Sequence, residues 1–185
     1  MAPLRALVLL VDGIEEMEAI GPADFLRRAE VEVITAGLHG LDPINCTQKT
    51  RILPDAAFDD VAKERWDLIV VPGGLEGSKN FAKEQKVGEI LRAQLASDGH
   101  VGAICAAPMV LATHGIQKGA TMTSYPLTKE MMKEHGYTWS DQRVVVDGKL
   151  ITSQGPGTTF EFPIKLVEIL KGSEEAKKLS DYLLL

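Results

Sequence analysis

Apolar positions fall along this chain in two rhythms. Three short runs are almost wholly apolar: Arg5 to Val11 (RALVLLV), Asp67 to Val71 (DLIVV) and His100 to Ile104 (HVGAI). A strand covered on both faces carries this pattern rather than strict alternation. Val31 to Ala36 reads as a fourth strand. Between the runs the spacing turns helical. Glu15 to about Arg28 predicts a helix whose acids Glu15, Glu16 and Glu18 occupy the first turns, where the macrodipole favours them. Three acids so close together need not all face water. Val87 to Ser97 predicts a helix with Val87, Ile90, Leu91 and Leu95 on one face.

The remaining elements are shorter. Phe58 to Arg65 and Leu127 to His135 read as helices. Thr158 or Thr159 can cap a helix running to about Leu170, and Ser173 to Leu179 forms a last one. Short strands are predicted at Ile44–Thr47, Arg51–Leu53, Thr121–Ser124, Tyr137–Trp139, Arg143–Val146 and Leu150–Ser153, with Asp147-Gly148 as a hairpin turn. Pro72-Gly73-Gly74 and Leu75-Glu76-Gly77-Ser78 follow the Asp67 strand, and no helix is predicted before Val87. Strands alternating with helices imply an α/β fold, a mostly parallel sheet with helices on both faces. No repeat or linker divides the chain, so residues 1–185 read as one domain.

Composition narrows the function classes. A net charge of −6 and a pI near 5.3 give no electrostatic case for nucleic acid. No apolar run is long enough for a membrane helix, and the start lacks a signal-peptide pattern. Two cysteines, Cys46 and Cys105, are too few for a disulfide framework or a metal finger. A reducing, cytoplasmic setting is the expectation.

Chemistry is expected where strands end, because open α/β sheets bind ligands beyond the carboxyl ends of their strands. Cys105 follows the His100 strand and precedes a helix started by Pro108 and stopped at Gly115. That position suggests a thiolate favoured by a helix N-terminus. Gly73-Gly74 can bring backbone N–H groups close to an anion. No Gly-Lys-Ser/Thr follows, so this is not a nucleotide-phosphate loop. If these strands are neighbours, a thiol, a carboxylate from the Glu15–Glu18 turn and backbone donors share one crevice. Such a thiol and carboxyl group would act as nucleophile and general acid/base, with N–H groups near Gly74 and Ala106 as an oxyanion pocket. The histidines His39, His100, His114 and His135 read as surface or satisfied side chains. Cys46 has no motif around it and reads as a surface or interface thiol.

Four motifs in order, Gly13-Ile14-Glu15-Glu16-Met17-Glu18, Val71-Pro72-Gly73-Gly74, Ala103-Ile104-Cys105-Ala106-Ala107-Pro108 and Gly155-Pro156-Gly157-Thr158, resemble the parkinsonism-associated deglycase (DJ-one) branch of the PfpI superfamily. The resemblance spans almost the whole chain. It implies a flavodoxin-like three-layer fold and a homodimer, with Met17 facing the partner. It implies that Cys105 is the reactive, oxidation-prone cysteine and Glu18 the carboxylic acid bonded to it. Gly73, Gly74, Ala106 and Tyr125 would bind substrate or its oxyanion. The implied activity needs no cofactor or metal: conversion of methylglyoxal to lactate, or release of glycated amines. The alternative is a redox sensor or redox-regulated chaperone in which Cys105 becomes a sulfinate. A plain anion-binding module is a third reading. The nucleus and the mitochondrion join the cytoplasm as implied compartments. The chain departs from the branch at three places. Tyr125 stands before Pro126 where histidine is usual, and a phenol is a poor proton shuttle at neutral pH. Gln154 and Gln48 replace frequent arginines, a loss that raises a nearby thiol's pKa.

Overall fold

The computed structural model describes residues 3–185. In chain order the elements are β1 (Arg5–Leu10), α1 (Glu16–Arg28), β2 (Glu32–Gly37), β3 (Ile44–Asn45), β4 (Arg51–Ile52), β5 (Ala56–Ala57), α2 (Phe58–Val61), β6 (Leu68–Val71), α3 (Leu75–Lys83) and α4 (Gln85–Ala96). Then follow β7 (His100–Ile104), α5 (Pro108–Thr113), β8 (Thr121–Met122), α6 (Lys129–Glu134), β9 (Thr138–Trp139), β10 (Val144–Asp147), β11 (Leu150–Ser153), α7 (Glu161–Lys171) and α8 (Ser173–Leu183).

Seven strands form the central sheet in the order β10-β11-β7-β6-β1-β2-β5. All neighbours run parallel except β10, which returns antiparallel to β11. The three apolar runs lie at the centre as β1, β6 and β7. Ala6 to Leu10, Ile69 to Val71, Val101, Ala103 and Ile104 are fully buried. Each such Leu, Ile or Val contributes roughly 1.5–3 kcal/mol by leaving water. Helices cover the sheet: α1 packs with α7 and α7 with α8, while α3, α4 and α5 form the other group. This is the flavodoxin-like α/β arrangement. The chain winds from β1 to β2 on one side and returns to β6 on the other. The switch point therefore falls between β1 and β6, where ligands bind in such sheets.

Four local expectations change. Helix α3 exists where no helix was predicted. Gly77 lies inside it and Leu75 at its start is exposed, so Phe81 is the only large apolar side chain it buries. The two-residue strand β5 is too short to carry a pattern. Thr158 and Thr159 do not cap α7, which follows Phe160. The Thr158 hydroxyl is taken instead by Ser153 Oγ at 2.6 Å and the Gly155 carbonyl at 2.8 Å. Helix α8 runs on to Leu183, with Ala176 and Leu179 buried along it.

Candidate active site

The segments after β1, β6, β7 and β11 meet at one end of the sheet. The first two lie backbone against backbone. Glu15 N–H donates to the Gly73 carbonyl at 3.0 Å, and Gly77 N–H to the Gly13 carbonyl at 2.9 Å. A Cβ on Gly77 would lie 2.6 Å from the Ile14 nitrogen, and one on Gly74 would lie 2.4 Å from the Gly13 oxygen. Gly74 also has φ +86°, which side chains disfavour. This close approach places the first turn of α1 over the end of β6.

The three acids of that turn do three different things. Glu15 caps α1, accepting the Glu18 N–H at 2.9 Å. Glu16 reaches outward to the β3–β4 hairpin and accepts from Gln48 N–H and the Thr47 hydroxyl, each at 3.1 Å. Burial raises the Glu16 carboxyl, but its own N–H together with donors from Gln48, Thr50 and Thr47 outweighs it and holds the group below its usual range. Glu18 turns inward and is fully buried. Its Oε2 accepts the Gly73 N–H at 2.9 Å. Its Oε1 has no other hydrogen-bond partner, and the carboxyl group meets the Cys105 thiol. Burial, with the Glu15 charge adding to it, pushes Glu18 up to about 8. At neutral pH it is a carboxylic acid with a proton to give.

Cys105 has φ +63°, a left-handed backbone uncommon for a side-chain-bearing residue. Both of its backbone groups are fixed. Its N–H donates to the Ser153 carbonyl at 2.9 Å, and its carbonyl accepts from Tyr125 N–H at 2.7 Å. Burial pushes the thiol up, to about 12, and the Glu18 charge adds to it; the N–H groups of Gly74 and Ala106 act in the opposite direction. Thiol and carboxyl thus carry at most one negative charge between them. Once Glu18 carries the proton, its repulsion is gone and the two N–H donors favour the charge on sulfur. Helix α5 begins only at Pro108 and is six residues long, and the donors are Gly74 from the facing loop and Ala106.

Gly73 is the floor of the site. A Cβ there would lie 2.5 Å from Glu18 Oε2, 2.6 Å from Cys105 Cβ and 2.7 Å from the Ile104 oxygen. Its N–H is occupied by Glu18. Gly155, after β11, lies on the open side: a Cβ there would sit 3.7 Å from Cys105 Sγ and 3.3 Å from the Tyr125 ring. Outside Gly155 opens a cleft of about 170 Å³ whose walls include Tyr125, Pro126, Arg143 and Gln154. Behind Tyr125, the buried Ser124 hydroxyl accepts from Thr128 Oγ1 at 2.7 Å and from Trp139 Nε1 at 3.0 Å. Gly155 was visible as part of a glycine-rich loop. Arg143 carries no local motif, and its place in the site follows only from β10 lying beside β11.

No histidine is among the groups acting on Cys105. His39 is exposed, 4.0 Å from Glu84. His114 departs from the expectation of a satisfied ring: its Nε2 is buried without a partner, and burial lowers its pKa. Cys46 is buried, not a surface thiol. Gln48 lies on the hairpin held by Glu16, and its backbone makes the contact.

The profile of the DJ-1/PfpI family matches residues 4–169. The chain is 46% identical to Protein dj-1beta of Drosophila melanogaster over 180 residues, covering 97% of this chain and 96% of that one. The chain belongs to the DJ-1/PfpI family. The crystal structure of Drosophila DJ-1beta superimposes with a TM-score of 0.97 at 44% identity, over 100% of this chain and 99% of that chain. Oxidized DJ-1 of Toxoplasma gondii gives a TM-score of 0.93 at 32% identity, over 98% of both chains. Among family members of known name, the glutathione-independent glyoxalase DJR-1.2 of Caenorhabditis elegans is 41% identical, over 96% of this chain and 95% of that protein. The similarity ties the chain to a family with a glyoxalase among its members. Among the described residues, no helix is long and apolar enough to cross a membrane.

Proposed function

We propose that the protein is a cofactor-independent enzyme of small reactive carbonyls, converting methylglyoxal to lactate and releasing amines from their carbonyl adducts. The observation that carries this reading is the buried Glu18 acid against the Cys105 sulfur, with Gly74 and Ala106 N–H groups aimed at the same atom. The thiolate adds to the aldehyde carbon, and Glu18 gives its proton to the new oxyanion, leaving a hemithioacetal. The Glu18 carboxylate then removes the hydrogen from that carbon. The electrons move into an enediolate, Glu18 returns the proton to the neighbouring carbon, and the hydroxyl proton passes from the first oxygen to the second. The product is a lactoyl thioester on sulfur. Water, giving its proton to Glu18, attacks the thioester; lactate leaves and the thiolate and acid are restored. Methylglyoxal plus water becomes lactate, with no net oxidation. In an amine adduct the same Glu18 proton goes to nitrogen as the carbon passes to sulfur. A free thiol nucleophile suits a reducing compartment such as the cytoplasm.

The first test is lactate formation from methylglyoxal by the protein and its Cys105→Ala variant. Turnover is expected to vanish in the folded variant. Full turnover by that variant would sink the reading. A second reading, oxidation of Cys105 as a signal, is favoured by Glu18 Oε1, a buried oxygen available to a sulfinic acid. It expects mild peroxide to add two oxygens to Cys105, read by intact mass, without methylglyoxal turnover.

We also propose that the chain pairs with a second copy. Met17, Ile20 and Phe160 are exposed apolar side chains around a shallow cleft of about 350 Å³ beside α1. Sedimentation is expected to give a dimer and Ile20→Glu a monomer; a monomeric parent protein would refute the pairing.

A further inference from the structure

The cleft outside Gly155, whose Cβ position lies 3.7 Å from Cys105 Sγ, has the liquid volume of about five or six waters, enough for a carbonyl compound of a few heavy atoms. Its size does not say what charge such a compound carries. Arg143 is the one cation among the described residues that line it. The carbonyl of Arg143 accepts from Ser153 Oγ at 2.8 Å and from Gln154 N–H at 3.2 Å, which fixes its stem beside the end of β11. Its guanidinium is engaged. Nε holds both oxygens of Glu161 at 2.8 and 2.9 Å. Nη2 lies 2.7 Å from Glu161 Oε1 and donates to the Gly157 carbonyl at 2.5 Å. The Gln154 amide adds no charge, and its nitrogen is taken by the Asp141 carbonyl at 2.8 Å. The fork that would grip a carboxylate on the ligand is therefore already filled by one from the chain. The pair is about half exposed on both sides, 54% and 50%. Solvent reaches both partners and screens the pair, so the mask is removable.

We propose that Arg143 is the specificity-determining residue of this cleft. It reads charge on the incoming carbonyl compound, and Glu161 masks it so that uncharged compounds are preferred to carboxylate-bearing ones. The inference deepens the carbonyl-enzyme reading and rests on it for the identity of the substrate, but charge selection at sulfur can be measured without turnover.

Iodoacetamide and iodoacetate are matched thiol alkylators that differ in charge. Their rates at Cys105, followed by peptide mass, give a selectivity ratio for the folded full-length protein. Glu161→Ala is expected to raise the iodoacetate rate relative to iodoacetamide about tenfold or more, the effect of a freed charge-assisted contact. In Arg143→Gln the same Glu161→Ala change is expected to give only about threefold, the screened effect of losing one nearby charge. Arg143→Lys, which keeps the charge without the fork, is expected to fall near Arg143→Gln. An equal gain from Glu161→Ala in both backgrounds, or no gain in either, overturns the proposal. The ratio of glyoxylate to methylglyoxal turnover is expected to follow the same order. If the parent protein turns over neither compound, the proposed enzyme activity fails, and the alkylation ratio still decides the role of Arg143.

Discussion

Cys46 and Cys105 are buried to nearly the same degree, 7% and 8% exposed, and burial pushes both thiols up, to about 11 and about 12. By these values Cys46 would be the more acidic. The surroundings of the two sulfurs differ. At Cys46, in the β3–β4 hairpin, the thiol reaches only the Ile44 carbonyl at 4.0 Å. The charges acting on it, Glu16, Glu15 and Asp12, are all negative. Nothing there offers a donor to a thiolate or a proton to a bound oxygen. At Cys105 two N–H groups face the sulfur, a carboxylic acid touches it, and two glycines leave it room. Burial sets how unfavourable a charge is. The neighbours decide whether that charge can form when a substrate arrives.

The strongest way to break the comparison is to remove the acid. Glu18→Gln keeps an acceptor for the Gly73 N–H but carries no removable proton. Lactate formation is expected to fall about 100- to 1000-fold in kcat, within the range of general acid–base catalysis. A variant with parent kcat would mean that Cys105 differs from Cys46 in backbone alone.

The pH dependence of stability comes next. Glu18 is raised from 4.5 to about 8, so between those values the folded chain binds a proton that the unfolded chain has lost. This contribution is fully present below pH 4.5 and is lost as pH rises toward 8, a change on the order of a few kcal/mol. Thermal unfolding from pH 5 to 8 is expected to show Tm falling, with a flatter slope in Glu18→Gln. Parallel slopes for the two proteins would contradict the buried-acid assignment.

A smaller effect is expected at the cleft. Gly155→Ala inserts a methyl group 3.7 Å from the sulfur and 3.3 Å from Tyr125. Methylglyoxal kcat/KM is expected to drop about tenfold, the size of one misplaced methyl in a tight pocket. An unchanged value would show that substrate reaches sulfur by another route.

The smallest effect belongs to the other thiol. Cys46→Ala is expected to leave turnover unchanged and to lower stability by about 1 kcal/mol, since the sulfur's burial is lost without any hydrogen-bond network. Turnover falling with Cys46→Ala in a fully folded protein would erase the distinction.

Much of this was legible in the residues. β1, β6 and β7 stood out because both of their faces are buried, which makes the run continuous. Cys105, a carboxylate of the Glu15–Glu18 turn and Gly74 could be placed at one crevice because strand ends converge at a switch point, and β1, β6 and β7 are neighbours; only the family resemblance singled out Glu18. The illegible parts depend on contacts distant in sequence. Helix α3 begins where Gly77 meets Gly13 and Ile14, not where apolar spacing predicts. Thr158 resembles a cap until Ser153 takes its hydroxyl. Arg143 looks like any surface arginine until the sheet sets it beside Gly155.

The antiparallel edge has one further consequence. Arg143 precedes β10 and Gln154 follows β11, so both flank a terminal hairpin, whereas Cys105, Glu18 and Gly73 belong to the centre of the sheet. The reacting atoms and the selecting side chains therefore occupy separable pieces of chain. The hairpin with its flanks is an exchangeable cassette: transplanting it between relatives would carry preference across while leaving the chemistry of the recipient in place.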